Sequence, residues 1–175
     1  MAVVVLPAGT IHPFSLESMG LDFSAIGTQM DDAVSAVWPA ANRALFFPFV
    51  LPSAITATLM FVYNGATASG NIDVGIYDAN QVLRVSSGST AQAGTTALQT
   101  FNITDTVLVP GLYYLAIAKD DITGTTFRVA PGARSQALSG GNQQASAFAL
   151  PSTATMVQSA TSYVPLFGLS VKTVV

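Results

Sequence analysis

The 175-residue chain predicts an all-β fold: an antiparallel two-sheet β-sandwich of jelly-roll type with an extended N-terminal arm. Three observations point there. From residue 43 onward apolar and polar residues alternate with a period of two, the pattern of a strand with one buried face. Gly, Pro, Asn and Asp interrupt that alternation often enough for roughly nine strands, at the spacing of sandwiches and barrels. No tandem repeat is visible, so a solenoid is not indicated. An immunoglobulin-like strand order is the competing topology.

The chain divides into an arm and connecting segment, residues 1–40, and a sandwich domain, residues 41–175. The apolar start "MAVVVLPAGTIHPF" reads as a β arm that needs another surface to cover it. Its expected partner contacts are Val3, Val4, Val5, Ile11 and Phe14. In "TQMDDAVSAVWP" Met30, Val34 and Val37 lie at helical spacing. Thr28 and Asp31 form a weak capping box and Pro39 a stop, so one short helix is expected. "RALFFPFVLP" (43–52) holds Pro48, which cannot donate to a ladder, and is expected at an edge or bulge. "ITATLMFVY" (55–63) places Ile55, Ala57, Leu59, Phe61 and Tyr63 on one face. "NGATASGN" (64–71) begins with an Asn-Gly turn signal. "NIDVGIY" (71–77) sends Ile72, Val74 and Ile76 one way and Asp73, Gly75 and Tyr77 the other, as a half-buried strand. "DANQ" then turns into "VLRVSS" (82–87), the clearest hairpin of the chain. A polar loop (88–96) precedes the strand "ALQTFNI" (97–103). In "LYYLAIAK" (112–119) Tyr113, Leu115 and Ile117 share a face. "DDITG" turns into "TTFRVA" (125–130), 131–147 reads as a long loop, and 162–175 is again strand-like.

Charge is the unusual bulk property. Only 9% of residues are Asp, Glu, Lys or Arg, against about 25% in an average domain. The surface is therefore built from Ser, Thr, Gln, Asn, Ala and Gly, as suits a protein packed against copies of itself or a neighbour and equally an ordinary soluble β domain rich in Thr and Ser. The net charge is −3, and Arg43, Arg84, Arg128 and Arg134 are scattered. A nucleic-acid groove needs clustered cations, so no direct nucleic-acid partner is expected. There is no cysteine, which excludes disulfides and thiolate metal sites. The start lacks a positive n-region, and no apolar run approaches the roughly 20 residues that span a bilayer. Neither a signal peptide nor a membrane partner is expected, and synthesis is expected in the cytoplasm.

Catalytic motifs are missing. The single histidine, His12, has no G-x-S-x-G elbow to serve and no companion at metal-ligand spacing. Most of the nine carboxylates sit at turn positions, where a side-chain oxygen caps backbone N–H groups. Calcium would use Asp78 with Asn80, or Asp120 with Asp121, but no EF-hand loop is present. A sugar site would use Tyr77 beside Asp73, with Trp38, Tyr63, Tyr113, Tyr114 and Tyr163 as further aromatics, against the commoner role of such residues as core. "NIT" (102–104) matches a glycosylation sequon without a secretion signal, and "SGGN" (139–142) lacks the context of a phosphate loop. No enzyme activity and no cofactor are expected.

By "WPAANRALFFPFVLP" (38–52), "NGATASGNIDVGIYD" (64–78) and "PGLYYLA" (110–116), the chain resembles small structural proteins of tailed bacteriophages and prophages. The resemblance runs through residues 38–121 and brings no catalytic residues. It implies a virion location and a sandwich of the kind reused in capsid decoration proteins, tail components and host-recognition modules. Together with the low charge and the missing active site, it leads to the expectation of a decoration or cement protein on the capsid surface, with the major capsid protein and further copies of this chain as partners. A tail-borne host-recognition or carbohydrate-binding module is the alternative that it leaves open.

Overall fold

The computed structural model describes residues 23–24, 33–129 and 140–172, and among these there are strands and no helix. The expected contacts Val3, Val4, Val5, Ile11 and Phe14, like His12, lie outside the described residues. The strands are β1 (Phe23–Ser24), β2 (Val34–Val37), β3 (Arg43–Leu51), β4 (Ile55–Tyr63), β5 (Asn71–Asp78), β6 (Leu83–Ser86), β7 (Thr90–Ala91), β8 (Leu98–Leu108), β9 (Gly111–Lys119), β10 (Thr125–Val129), β11 (Asn142–Gln144), β12 (Val157–Gln158), β13 (Val164–Pro165) and β14 (Phe167–Lys172). All pair antiparallel.

Hydrogen bonding groups them into three sheets rather than two. One has the order β1-β14-β4-β8, the second β13-β10-β2, and the large one β12-β11-β3-β9-β5-β6, with β7 also on β5. The first and the large sheet pack face to face. Ile55, Met60, Val62, Phe101, Ile103, Phe167 and Leu169 meet Leu45, Phe47, Ile72, Val74, Ile76, Leu115 and Ile117 in one core. The small sheet adds Trp38, Tyr163 and Val164 to that core. Trp38 and Tyr163 stack edge to face at 5.3 Å, and the indole N–H of Trp38 donates to the Arg43 carbonyl at 2.9 Å.

Four expectations change. Residues 34–37 are strand β2, not a helix, because β10 offers a full ladder from Val37↔Thr125 to Val34↔Arg128. Val34 and Val37 stand exposed there, and β-branched residues suit that pleated edge. In β4 the register shifts between Ala57 and Leu59. Against β14, where Val171 pairs with Ala57 and Ser170 with Leu59, Thr58 is the extra residue, so the core face runs Ile55, Ala57, Met60, Val62, with Leu59 and Phe61 off it and Tyr63 packed at its margin. Strand β5 is buried on both faces rather than one. Its outer face, with Tyr77, joins Ala44, Phe46, Ala116 and Ala118 in a second core that Ala147, Leu150 and Ala154 cover. The expected loop 131–147 contains β11, which extends the large sheet along Ala44–Phe46. Pro48 sits past the end of that pairing, bonded only toward β9 among the described strands, as a proline in a sheet requires.

Candidate functional site

The two ends of the sandwich differ in chemistry. At one end lie the close of β4, the start of β5, the loop through β7 and the end of β9. Period-two alternation along β9 carries Tyr113, Leu115 and Ile117 inward, and Lys119 is next in that series. Its ammonium is fully buried. It donates to the Ser69 carbonyl at 3.2 Å and to Gln92 Oε1, and lies 3.5 Å from Asp121 Oδ1. Gln92 Nε2 donates to Asn64 Oδ1 at 2.9 Å and to the Thr125 carbonyl at 2.7 Å. Asn64 Nδ2 donates to the Ala93 carbonyl at 2.7 Å and to Gln99 Oε1 at 2.9 Å. Burial pulls the Lys119 pKa down, opposed by the negative charge of Asp121.

Asp120 closes the same end. It accepts from the Asn71 backbone N–H and from Asn71 Nδ2, each at 2.7 Å. Burial alone would raise its pKa, but these hydrogen bonds outweigh burial and hold it below the usual carboxylate value. Asp78 is the turn cap expected of it: Oδ1 accepts from the N–H groups of Asn80 at 2.9 Å and Val82 at 3.1 Å. Among the described residues no three His, Cys, Asp or Glu side chains come together as metal ligands. Of the residues weighed for calcium, Asp78 caps the turn that holds Asn80, Asp120 accepts from Asn71, and Asp121 lies against Lys119.

Asp73 and Tyr77 are not on the surface, so they do not form the sugar site considered from sequence. Both are buried beneath the segment around residues 147–154. Asp73 Oδ2 accepts from the Leu150 N–H at 3.0 Å, Oδ1 accepts from the Ser87 hydroxyl at 3.3 Å, and the Tyr77 hydroxyl donates to the Pro151 carbonyl at 2.5 Å. Burial raises the pKa of Asp73 and of Tyr77 alike. Tyr163 is pushed up to about 12 by burial, and its hydroxyl is tied to Thr126 at 2.8 Å. Trp38 and Tyr113 are core, and Tyr63 and Tyr114 are half-buried.

The opposite end is open and apolar. Val50 is 69% exposed, Val107 62%, Val109 60% and Leu112 39%. Val50 and Leu112 are direct cross-strand partners, and Val107 and Val109 flank the end of β8 beside them. A groove of about 290 Å³ opens next to this rim, lined by Asp78, Asn80, Arg84, Val109, Leu112 and Tyr113. Asp78 and Arg84 form an ion pair at its edge at 3.7 Å, a surface pair worth little to stability.

Reasoning from sequence missed Lys119, Gln92 and Asn64. For Lys119 a signal existed, since it continues the inward face of β9. No protein-family model matches the chain, and no curated protein matches it either.

Proposed function

We propose that this chain is a non-enzymatic structural protein of a tailed-phage virion, a capsid decoration protein that binds and stabilises the coat lattice. The observation that carries the reading is the open apolar rim of Val50, Val107, Val109 and Leu112. Large aliphatic side chains gathered at one end of a low-charge domain favour contact with another protein. The engagement of Asp78 and Asp120 with turn and loop N–H groups, and of Asp73 with the Leu150 N–H, supports a non-enzymatic role. The resemblance of residues 38–121 to phage structural proteins supports the virion setting, with the major capsid protein and copies of this chain as partners.

Quantitative mass spectrometry of purified particles tests the reading. A copy number comparable to the coat protein is expected. A handful of copies per particle would sink the decoration role and favour a tail-borne host-recognition or carbohydrate-binding module.

A further inference from the structure

We propose that Lys119 and Gln92 become joined by an intramolecular isopeptide bond once the chain has folded, with Asp121 carrying the proton. The inference is independent of the virion reading and rests on the polar end of the sandwich.

Three requirements of amide exchange are met there. The first is a held and polarised electrophile. Gln92 Oε1 accepts from Lys119 Nζ and from the Ser69 N–H at 3.3 Å. Its Nε2 faces two acceptors, Asn64 Oδ1 and the Thr125 carbonyl. Asn64 is oriented in turn by the Ala93 carbonyl and Gln99 Oε1, so the carboxamide cannot flip without facing donor with donor. Two donors on one carbonyl oxygen favour the charge that develops there when a nucleophile adds.

The second requirement is an amine in contact with that carboxamide whose lone pair can be freed. Lys119 is fully buried and touches Gln92 Oε1, and burial lowers its pKa against the opposing negative charge of Asp121. Burial also excludes the water that would compete as nucleophile. Gly124 lets the 120–124 loop close over the pair: a Cβ there would fall 2.6 Å from Lys119 Nζ, and inside contact distance of Gln92 Oε1 and the Ser69 carbonyl.

The third is a proton carrier. Asp121 Oδ1 is buried and accepts no hydrogen bond, yet lies 3.5 Å from Nζ. The other oxygen, Oδ2, is held by the Gly124 N–H at 3.3 Å. The free oxygen is thus presented to the amine. In the reaction, the Nζ lone pair adds to Gln92 Cδ and the new C–N bond forms. Asp121 takes a proton from Nζ and returns it to Nε2. The Cδ–Nε2 bond then breaks and ammonia leaves. No oxidant, reductant or co-reactant is required. The bond would tie the end of β9 to the loop after β7 and bridge the whole β8–β9 hairpin, a covalent clasp on the end of the sandwich where three loops meet.

Intact-mass spectrometry of the folded full chain, followed by a tryptic map, tests this. The expected mass is that of the sequence less one ammonia. Trypsin should fail to cut after Lys119 and should release residues 85–128 as one fragment, since Arg84 and Arg128 are the flanking sites. The unaltered sequence mass after prolonged incubation, with normal cleavage at Lys119, overturns the proposal. Loss of ammonia with Lys119 still cleaved also overturns it, because the loss then lies elsewhere, for instance at Asn64-Gly65. Lys119→Arg keeps a cation but should show no mass loss. Asp121→Asn, checked for native circular dichroism, should slow the mass loss by roughly 10²-fold or more. An unchanged rate in that variant would remove Asp121 from the reaction.

Discussion

The large sheet buries a carboxylate and an ammonium at neighbouring positions of two paired strands, yet the two never meet. Ile72 of β5 lies opposite Lys119 of β9, and Asp73 opposite Ala118. Alternation sends Lys119 to the inner face with Ile72 and Ile117, and Asp73 to the outer face with Tyr77 and Ala118. Each charge is therefore satisfied on its own side of the sheet. Lys119 has an opposite charge, Asp121, and two uncharged acceptors, Gln92 and Ser69. Asp73 has uncharged donors, among them the Leu150 N–H and the Ser87 hydroxyl, and no ion pair among the described residues. The difference separates a polar cluster that closes three loops from a single anchor that fastens one covering segment. A buried group is costly in proportion to what is left unpaired when a partner goes, so the inner-face cluster should be the more sensitive of the two.

Asn64→Ala tests the inner-face cluster and carries the largest expected effect. It removes two donated hydrogen bonds and one accepted one, and leaves the Gln92 amide and the Ala93 carbonyl without them. A loss of about 3 kcal/mol in urea denaturation is expected, from more than one unsatisfied buried group. A loss under about 1 kcal/mol would mean that water replaces the network freely and that the end is not closed.

Tyr77→Phe tests the outer face. It deletes one hydroxyl and leaves the Pro151 carbonyl unpaired, while the ring keeps its edge-to-face contact with Phe46 at 5.3 Å. The expected cost is about 1–2 kcal/mol. If Tyr77→Phe costs more than Asn64→Ala, the ranking of the two faces is reversed.

What the sequence revealed follows the range of each interaction. The hairpin at residues 78–82 was legible because Asp78 caps N–H groups two and four residues away. The inward face of β9 was legible because alternation is local, and carrying it one step further reaches Lys119. Asp73 was legible as a strand residue but not as an anchor, since its partner Leu150 lies 77 residues along the chain. Asn64-Gly65 reads as a turn signal at the start of a loop. It is instead packed, with Asn64 fully buried and its partners contributed by the loop that follows β7. The short segment 34–37 carried a helical spacing that β10 overrode, because a ladder partner is invisible in local pattern. The Thr58 bulge changed the phase of β4 for the same reason: register is set by the neighbouring strands.

The smallest expected effect, and the one that most directly separates the two faces, is a pH profile. Burial raises Asp73 above its ordinary 3.8, so the folded protein holds that proton to a higher pH than the unfolded chain. The stability linked to Asp73 is complete below 3.8 and is lost as pH rises through the folded value. Lys119 has the opposite dependence. Its folded pKa lies below 10.5, so the penalty for its charge is relieved as pH rises from the folded value toward 10.5. Asp73→Asn keeps an acceptor for the Leu150 N–H. Ser87 keeps an alternative acceptor for its hydroxyl, the Gly88 carbonyl at 3.1 Å. The variant should fold with a stability within about 1 kcal/mol of the parent at acid pH. As pH rises from 3.8 through the folded value of Asp73, the parent should lose stability relative to Asp73→Asn, read as urea midpoints on both proteins. A parent that gains on the variant over that range would mean that the carboxylate is held charged by a partner on the outer face, and that the two faces of the sheet solve the problem in the same way.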